Sequence, residues 1–235
     1  MKHSGGGCEE TPLGRCRIST GVRGARSTKP IECCVIIDVL RASSTIATAL
    51  AHGVEEIRTV TSIDGALKFK KQRYTVAGER KGVTLAGFDL GNSPLEFLRA
   101  TRENPIKKLV LTTSNLTRVL AYCESAFICS SLNLTAVSRQ IKSEPANIVV
   151  VGGPHGVVED LGIALALLMK VQGLKLQKGL VQKMITQSRA ADYLISIGYG
   201  EDVKFIASLD RYNVVPFYRK GIVTCLPADG SSRKK

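Results

Sequence analysis

The chain lacks several features that would place it in a familiar class. It has no tryptophan and only 5% aromatic residues, and no basic stretch is interleaved with aromatic rings, which disfavours a platform for single-stranded nucleic acid. No run approaches the roughly 18 apolar residues of a membrane span, so we expect no membrane partner. Residues 1–7 are polar and glycine-rich without an apolar segment, which is unlike a secretory signal and favours a cytoplasmic protein.

Cysteine spacing and the absence of common catalytic motifs narrow the chemistry further. The seven cysteines include no C-x-x-C pair, so neither a zinc site nor a small-protein disulfide framework is indicated, and we expect mostly buried, reduced thiols. No G-x-S-x-G nucleophile elbow is present. Asp38 is followed by Val39 and Leu40, without the Asp-x-Asp pair of phosphatases that form an aspartyl-phosphate, so no covalent aspartyl intermediate is indicated.

The positive charge is concentrated at the two ends of the chain. The formal net charge is +13, of which residues 1–31 and 219–235 carry +4 each, leaving +5 for residues 32–218. A modest positive bias suits a small anionic substrate. The basic ends could also touch RNA or DNA weakly, so a non-catalytic protein that binds nucleic acid or another anion is an alternative to an enzyme. Nucleic acid is the less favoured partner, because the carboxylates described below repel phosphate unless a metal intervenes.

The order of apolar segments predicts an α/β protein. The 235 residues with 44% hydrophobic content can bury a sizeable core. Strand-like segments end near residues 37, 77, 112, 129 and 151 and alternate with helix-like segments, among them 62–72 and 158–171. This alternation favours a three-layer α/β/α fold with a mixed, mainly parallel sheet. We predict a flexible basic lead at 1–31 with a short edge strand near 15–19, an α/β domain at 32–218 and a basic tail at 219–235. The sequence leaves the oligomeric state open, a homo-oligomer included.

Ligands of such sheets bind outside the carboxyl ends of the strands, so polar residues at those ends are candidates for a site. The first strand delivers Asp38, followed by Arg41, Ser43 and Ser44 at the start of a helix. Asp38 could hold a divalent metal while Arg41 and the hydroxyls receive an anion. The alternative is a local helix cap at the end of a buried strand.

Two later strand ends carry similar chemistry. Glu79 and Arg80 could bind metal and anion, although a surface ion pair is the commoner meaning of such a dipeptide. Residues 112–118 place hydroxyls, the Asn115 amide and the Arg118 guanidinium at one strand-to-helix junction. An anion needs such donors, and Thr113 belongs to this set. An ordinary helix cap with an exposed arginine is the alternative.

Two further segments add candidates for the site. Residues 88–94, which include Asn92, form either a binding loop or a structural loop before a helix that begins at Pro94. The segment 132–137 echoes 114–119, which suggests that Ser131 and Asn133 lie in a second, equivalent turn facing the same crevice.

The glycine-rich turn at 152–156 leads into a helix whose first turn carries two adjacent carboxylates. It has neither the Gly-Lys-Ser/Thr ending of a P-loop nor the G-x-G-x-x-G pattern of dinucleotide-binding proteins. Glu159 and Asp160 could complete a Mg²⁺ site with Asp38, or could simply favour the helix dipole. His155 is a candidate proton carrier, although a lone loop histidine is more often structural.

Taken together and in order, these blocks resemble one family. The segments 37–46, 78–80, 87–94, 113–118 and 159–160, with weaker matches at 188–216, are similar to the 2-phosphosulfolactate phosphatase (ComB) family. The resemblance implies a Mg²⁺-dependent phosphatase that hydrolyses 2-phospho-3-sulfolactate to 3-sulfolactate and phosphate, a step in coenzyme M biosynthesis. Relatives occur in organisms without coenzyme M, so another small phosphorylated acid stays open as the substrate.

The resemblance also implies roles for particular residues. It assigns catalysis to Asp38, Glu79 and Arg118, and Mg²⁺ binding to Asp38 with Glu159 or Asp160. The expected substrate-binding residues are Arg41, Ser43, Ser44, Arg80, Asn92, Thr113, Asn115, Ser131 and Asn133. One departure concerns the family's Asn-Gly-Thr-Arg turn, because Leu116 replaces its glycine and thereby removes easy access to positive φ.

Overall fold

The computed structural model describes residues 16–142 and 144–227, which build a ten-stranded sheet with helices on both faces. The strands are β1 (Cys16–Thr20), β2 (Cys33–Ile37), β3 (Glu56–Thr59), β4 (Thr75–Arg80), β5 (Val83–Thr84), β6 (Lys108–Thr112), β7 (Ser125–Cys129), β8 (Ala146–Val150), β9 (Val215–Arg219) and β10 (Ile222–Leu226). The helices are α1 (Gly21–Arg26), α2 (Ala42–Ala51), α3 (Ile63–Leu67), α4 (Pro94–Glu103), α5 (Leu116–Leu120), α6 (Leu134–Ile141), α7 (Val158–Val171), α8 (Lys178–Thr186), α9 (Arg189–Ser196) and α10 (Gly200–Ile206).

The sheet is mixed and mostly parallel, in the order β1-β8-β2-β7-β9-β10-β3-β6-β4-β5. Strands β1, β8, β2 and β7 are parallel neighbours, and so are β3, β6 and β4. The hairpin β9–β10 joins the two groups through antiparallel pairs with β7 and β3. This topology confirms the predicted α/β class.

The side chains of β2 alternate between the two faces of the sheet. Cys34 and Ile36 pack in a cluster with residues of α2, α4 and α5, whereas Val35 and Ile37 pack in a second cluster with residues of α6, α7 and α8. A strand buried on both faces is the pattern of a parallel sheet covered by helices. The three predicted layers follow from this alternation.

The sheet extends past both predicted domain boundaries. Strand β1 confirms the short edge strand predicted near 15–19; it pairs with β8 along its whole length and is followed by α1, which also lies within the segment predicted as a flexible lead. Strand β10 lies within the predicted tail. Backbone pairing at both places leaves these stretches ordered. Residues 1–15 and 228–235, the rest of the predicted lead and tail, lie outside the described part.

Local turn chemistry accounts for smaller differences between the predicted and the observed helices. The predicted helix over 62–72 is α3, which Ser62 caps by accepting from the Gly65 N–H, followed by a 3₁₀ turn over Lys68–Gln72 that ends at Arg73 with a φ of 61°. Helix α7 has the predicted bounds.

Across residues 16–142 and 144–227, no helix combines the length and hydrophobicity needed to cross a bilayer.

Candidate active site

A cavity of about 400 Å³ opens where β2, β4 and β6 end. Many of the residues singled out from the sequence lie on its wall: Asp38, Arg41, Glu79, Arg80, Asn92, Thr113, Asn115, Arg118 and His155. The cavity is also lined by residues that the sequence patterns did not single out for it, among them Thr61, Lys81 and Tyr193. The structure therefore brings three separate strand ends to one crevice, as ligand binding in α/β sheets requires.

Serine hydroxyls fix the turn after β2 rather than face the cavity. Ser43 Oγ donates to the Asp38 carbonyl at 2.7 Å, and Ser44 Oγ donates to the Val39 carbonyl at 2.8 Å. Both serines are fully buried. The peptide bond between Leu40 and Arg41 is cis in this turn. Ser43 and Ser44 thus hold the backbone that presents Asp38.

The carboxylate of Asp160 holds the same turn through hydrogen bonds to the backbone. Its two oxygens accept from the Val39 N–H at 2.7 Å and the Gly152 N–H at 2.9 Å. Asp160 therefore ties the turn after β2 to the glycine-rich turn before α7. Each oxygen keeps a second lone pair, so these two hydrogen bonds leave Asp160 able to bind a metal as well.

Asp38 carries the most perturbed carboxylate of the cavity wall. Burial, together with the neighbouring Glu79 and Glu159 carboxylates, raises the pKa of Asp38 to about 7. Burial also raises the pKa of Glu159, whose buried Oε2 has no hydrogen-bond partner. A cation near Asp38 and Glu159 would offset this repulsion.

Glu79 joins the turn after β4 to the turn after β6. One oxygen accepts from the Ser114 N–H at 2.7 Å, and the other accepts from the Gly82 N–H at 2.7 Å and the Ser114 hydroxyl at 3.0 Å. Three donors around one carboxylate fix the relative position of the two turns. The cavity residues on these two turns are therefore also held in fixed positions relative to one another.

Arg41 reaches the cavity as half of a buried ion pair. Its Nη1 donates to Asp202 at 2.9 Å, and both side chains are only 2% exposed. Its guanidinium also stacks over the Tyr199 ring at 3.8 Å and donates to the Gly82 carbonyl. The positive charge of Arg41 is therefore neutralised by Asp202, and the group offers directed N–H donors rather than net charge.

The other cations of the wall have no carboxylate partner among the described residues. Arg80 donates to neutral acceptors, the Glu79 and Thr61 carbonyls and the Thr112 hydroxyl. Arg118 is exposed at the start of α5, and Lys81 is exposed between β4 and β5. These three charges face a cavity suited to an anion.

Two more residues shape the pocket. Asn92 is 4% exposed, and its Oδ1 has no hydrogen-bond partner. A ligand that donates a hydrogen bond would satisfy it. His155 and Tyr193 also line the cavity, and their rings stack with 4.2 Å between centroids.

The second turn expected from the sequence echo lies elsewhere. Asn133 accepts from the Ser130 N–H and hydroxyl and donates to the carbonyls of Ile128 and Val214. Ser131 donates to the Ile206 carbonyl. Both side chains are fully buried and neither lines the cavity. The echo reflects a shared way of starting a helix, and β7 is separated from β6 by three strands.

Leu116, the departure from the family turn, begins α5 with a fully buried side chain. The backbone of Leu116 is helical, and this residue is not one of the described non-glycine residues with positive φ, so the position requires no positive φ. Leucine is accommodated here because it packs into the core on the α2 and α4 side of the sheet.

The carboxylates fit a magnesium ion only as a pair. Within 16–142 and 144–227 no three His, Cys, Asp or Glu side chains lie close enough to hold a metal by themselves. Mg²⁺ commonly uses one or two carboxylates together with substrate phosphate and water. Asp38 and Glu159 are a candidate pair, because the Glu159 carboxylate adds to burial and Glu79 in raising the pKa of Asp38, and the buried Glu159 Oε2 has no hydrogen-bond partner. Asp160, whose pKa is raised by its burial and by the Asp38 and Glu159 carboxylates, is the other candidate ligand.

Comparison with known sequences gives one consistent result. A family model described as 2-phosphosulpholactate phosphatase matches residues 21–221. A protein of Thermotoga petrophila named probable 2-phosphosulfolactate phosphatase is 36% identical over 212 residues, covering 82% of this chain and 92% of that relative. The 2-phosphosulfolactate phosphatase of Methanothermobacter thermautotrophicus is 35% identical over 203 residues, covering 80% of this chain and 87% of that relative.

Proposed function

Because the chain belongs to the 2-phosphosulfolactate phosphatase family, we propose that it hydrolyses the phosphate monoester of a small acid in a Mg²⁺-dependent reaction. 2-Phospho-3-sulfolactate, the substrate named for its relatives, is the first candidate. Coenzyme M biosynthesis is the corresponding pathway. Phosphorylated acids of similar size are the alternative substrates.

One observation carries the proposal: buried carboxylates and cations without carboxylate partners in the described part of the chain line one small cavity. Asp38, Glu79, Arg80 and Arg118 are all among its lining residues. A phosphate monoester needs cations around its oxygens. A metal held by carboxylates neutralises the charge that develops during transfer to water.

In this proposal Asp38 and Glu159 hold the Mg²⁺. When bound, the ion polarises a phosphoryl oxygen and lowers the pKa of bound water. Asp160 and the hydroxyls of Ser43 and Ser44 hold the turn from which Asp38 projects. They act on the reaction through the position of Asp38.

The remaining residues bind and orient the substrate. Arg80 and Arg118 bind the phosphoryl oxygens, with Thr113 and Asn115 as neutral donors at the same strand end. Arg41 donates a directed hydrogen bond, and Asn92 accepts one through its unpartnered Oδ1. Glu79 keeps the two cation-bearing turns in register through its three hydrogen bonds. The stacked rings of His155 and Tyr193 form an apolar part of the cavity lining.

The test is phosphate release from 2-phosphosulfolactate and a panel of phosphorylated hydroxy acids, with Mg²⁺ and with a chelator. We expect activity only with the metal and a loss of at least about 100-fold in kcat for Asp38→Asn. Asp64→Asn is the control, because Asp64 is exposed in the first turn of α3 and does not line the cavity. Full activity in the chelator, or unchanged turnover in Asp38→Asn, would remove the metal mechanism. No release from any ester would remove the function.

A further inference from the structure

Lys81 occupies an unusual backbone position at the cavity. It lies in the turn between β4 and β5 with a φ of 52°, it is exposed, and it is one of the residues that line the cavity. Non-glycine residues adopt this left-handed conformation at a cost in free energy, and they persist there where the surroundings over-determine them. The sequence patterns gave no reason to single out this residue.

Hydrogen bonds hold the Lys81 backbone from two sides. Its N–H donates to Ser114 Oγ at 3.2 Å, and its carbonyl accepts from Tyr193 Oη at 2.9 Å. The next residue, Gly82, donates to Glu79 and accepts from Arg41. Four cavity residues thus fix the point from which the lysine side chain leaves the chain.

The charge of Lys81 is not neutralised by the protein. No carboxylate in the described part of the chain forms an ion pair with its ammonium group, whereas several lysines elsewhere do pair, such as Lys70 with Asp89 and Lys107 with Glu55. Arg80 and Arg118 are two further cations on the same cavity. Two arginines suffice for a phosphoryl group, so the third cation is left for another negative group of the ligand.

We propose that Lys81 is a specificity-determining residue that binds an anionic group of the substrate other than the phosphate, either a carboxylate or a sulfonate. A flexible ammonium group acts as a point charge and tolerates the geometry of either acid. The inference rests on the proposed phosphatase function and adds the residue that distinguishes an acidic ester from a neutral one.

The test compares two esters with the same three-carbon skeleton. 2-Phosphosulfolactate carries two acid groups besides phosphate, and glycerol 2-phosphate carries none. For Lys81→Met we expect the KM for 2-phosphosulfolactate to rise about 10-fold, as for loss of one charged hydrogen bond, with kcat nearly unchanged. The KM for glycerol 2-phosphate, or its inhibition constant against the first ester, should change less than about 2-fold. Lys81→Arg should restore most of the difference.

Lys220→Met is the matched control. Lys220 is also an exposed lysine at positive φ, 47°, but it lies in the β9–β10 turn and does not line the cavity. The Lys220→Met variant should leave the KM values for both esters unchanged. This control separates the effect of charge at the cavity from the effect of a lysine at positive φ. An equal effect of Lys81→Met on both esters, or no effect on either, overturns the inference alone. If the wild-type protein releases phosphate from no ester of the panel, the proposed function is overturned and this inference with it; if it is active only on another acidic ester, the same comparison is made with that ester.

Discussion

At the scale of single residues, Arg41 is held at the cavity by a carboxylate that lies 161 residues further along the chain. Asp202 accepts from Arg41 through one oxygen and from the Ser93 hydroxyl through the other, at 2.9 and 2.7 Å. The pair is desolvated, so its net worth depends on both partners being present. Removal of Asp202 would leave a buried guanidinium without a counter-charge.

We therefore expect Asp202→Asn to lower the free energy of unfolding by about 3 kcal/mol, as for one broken partner of a buried ion pair. Glu201→Gln on the same helix should cost less than about 1 kcal/mol, since its pair with Lys204 is exposed. Urea unfolding of both variants measures the difference. Equal losses would mean that the buried pair contributes no more than a surface pair.

Single residues also show which features of the site can and cannot be predicted from sequence patterns. The positions of Asp38, Glu79 and Arg118 on one cavity follow from polar residues at strand ends, which is a local signal. The orientation of a hydroxyl is not local: Ser43 and Ser44 satisfy carbonyls of the turn and Ser131 a carbonyl of α10, because buried carbonyls need donors. Asp202 could not be paired with Arg41 without knowing where α10 packs.

At the scale of elements, β1 and α1 are attached to the rest of the sheet partly through one ion pair. Arg17 on β1 donates through Nε and Nη2 to the two oxygens of Glu32, both at 2.8 Å. This bidentate contact lowers the pKa of Glu32 to about 2. The carboxylate lies just before β2, so the contact connects an edge strand to the interior of the sheet.

The lowered pKa gives a stability contribution with a defined pH range. A carboxyl group whose pKa is lower in the folded state stabilises the fold above its unfolded value of 4.5, and the contribution is lost as the pH falls from there toward 2. We expect Glu32→Gln to destabilise the protein at pH 6 and the deficit relative to wild type to shrink at pH 3. Urea unfolding at the two pH values measures it. A deficit of equal size at both would contradict the assignment to ionisation.

The same edge shows which element predictions held and why. The glycine- and arginine-rich composition of 1–31 is typical of a flexible segment. The short edge strand predicted near 15–19 is nevertheless confirmed by β1, although Ile18 is the only large apolar side chain of this strand. Its order comes from pairing with β8, a contact about 130 residues away. Strand β2 was readily predicted because it is apolar on both faces.

At the scale of the whole molecule, the positive charge and the cavity act in the same direction. The protein carries a net charge of +13, and three cations without carboxylate partners in the described part line the cavity. A cationic surface attracts an anionic substrate over distances that salt shortens, with a screening length of about 30 Å at 0.01 M and about 8 Å at 0.15 M. Encounter and binding, rather than the chemical step, should therefore depend on ionic strength.

We expect kcat/KM for 2-phosphosulfolactate to fall when ionic strength is raised from about 0.01 to about 0.15 M at fixed Mg²⁺, with a much smaller change in kcat. The slope should be shallower for glycerol 2-phosphate, because the attraction scales with substrate charge. Lys81→Met should flatten the slope for the acidic ester more than Lys220→Met does. The reason is that Lys81 lines the cavity that receives the substrate, whereas Lys220 lies outside it, in the β9–β10 turn. A slope that is the same for both esters would assign the salt effect to the protein's stability or to the metal, and not to attraction between the cavity and the substrate.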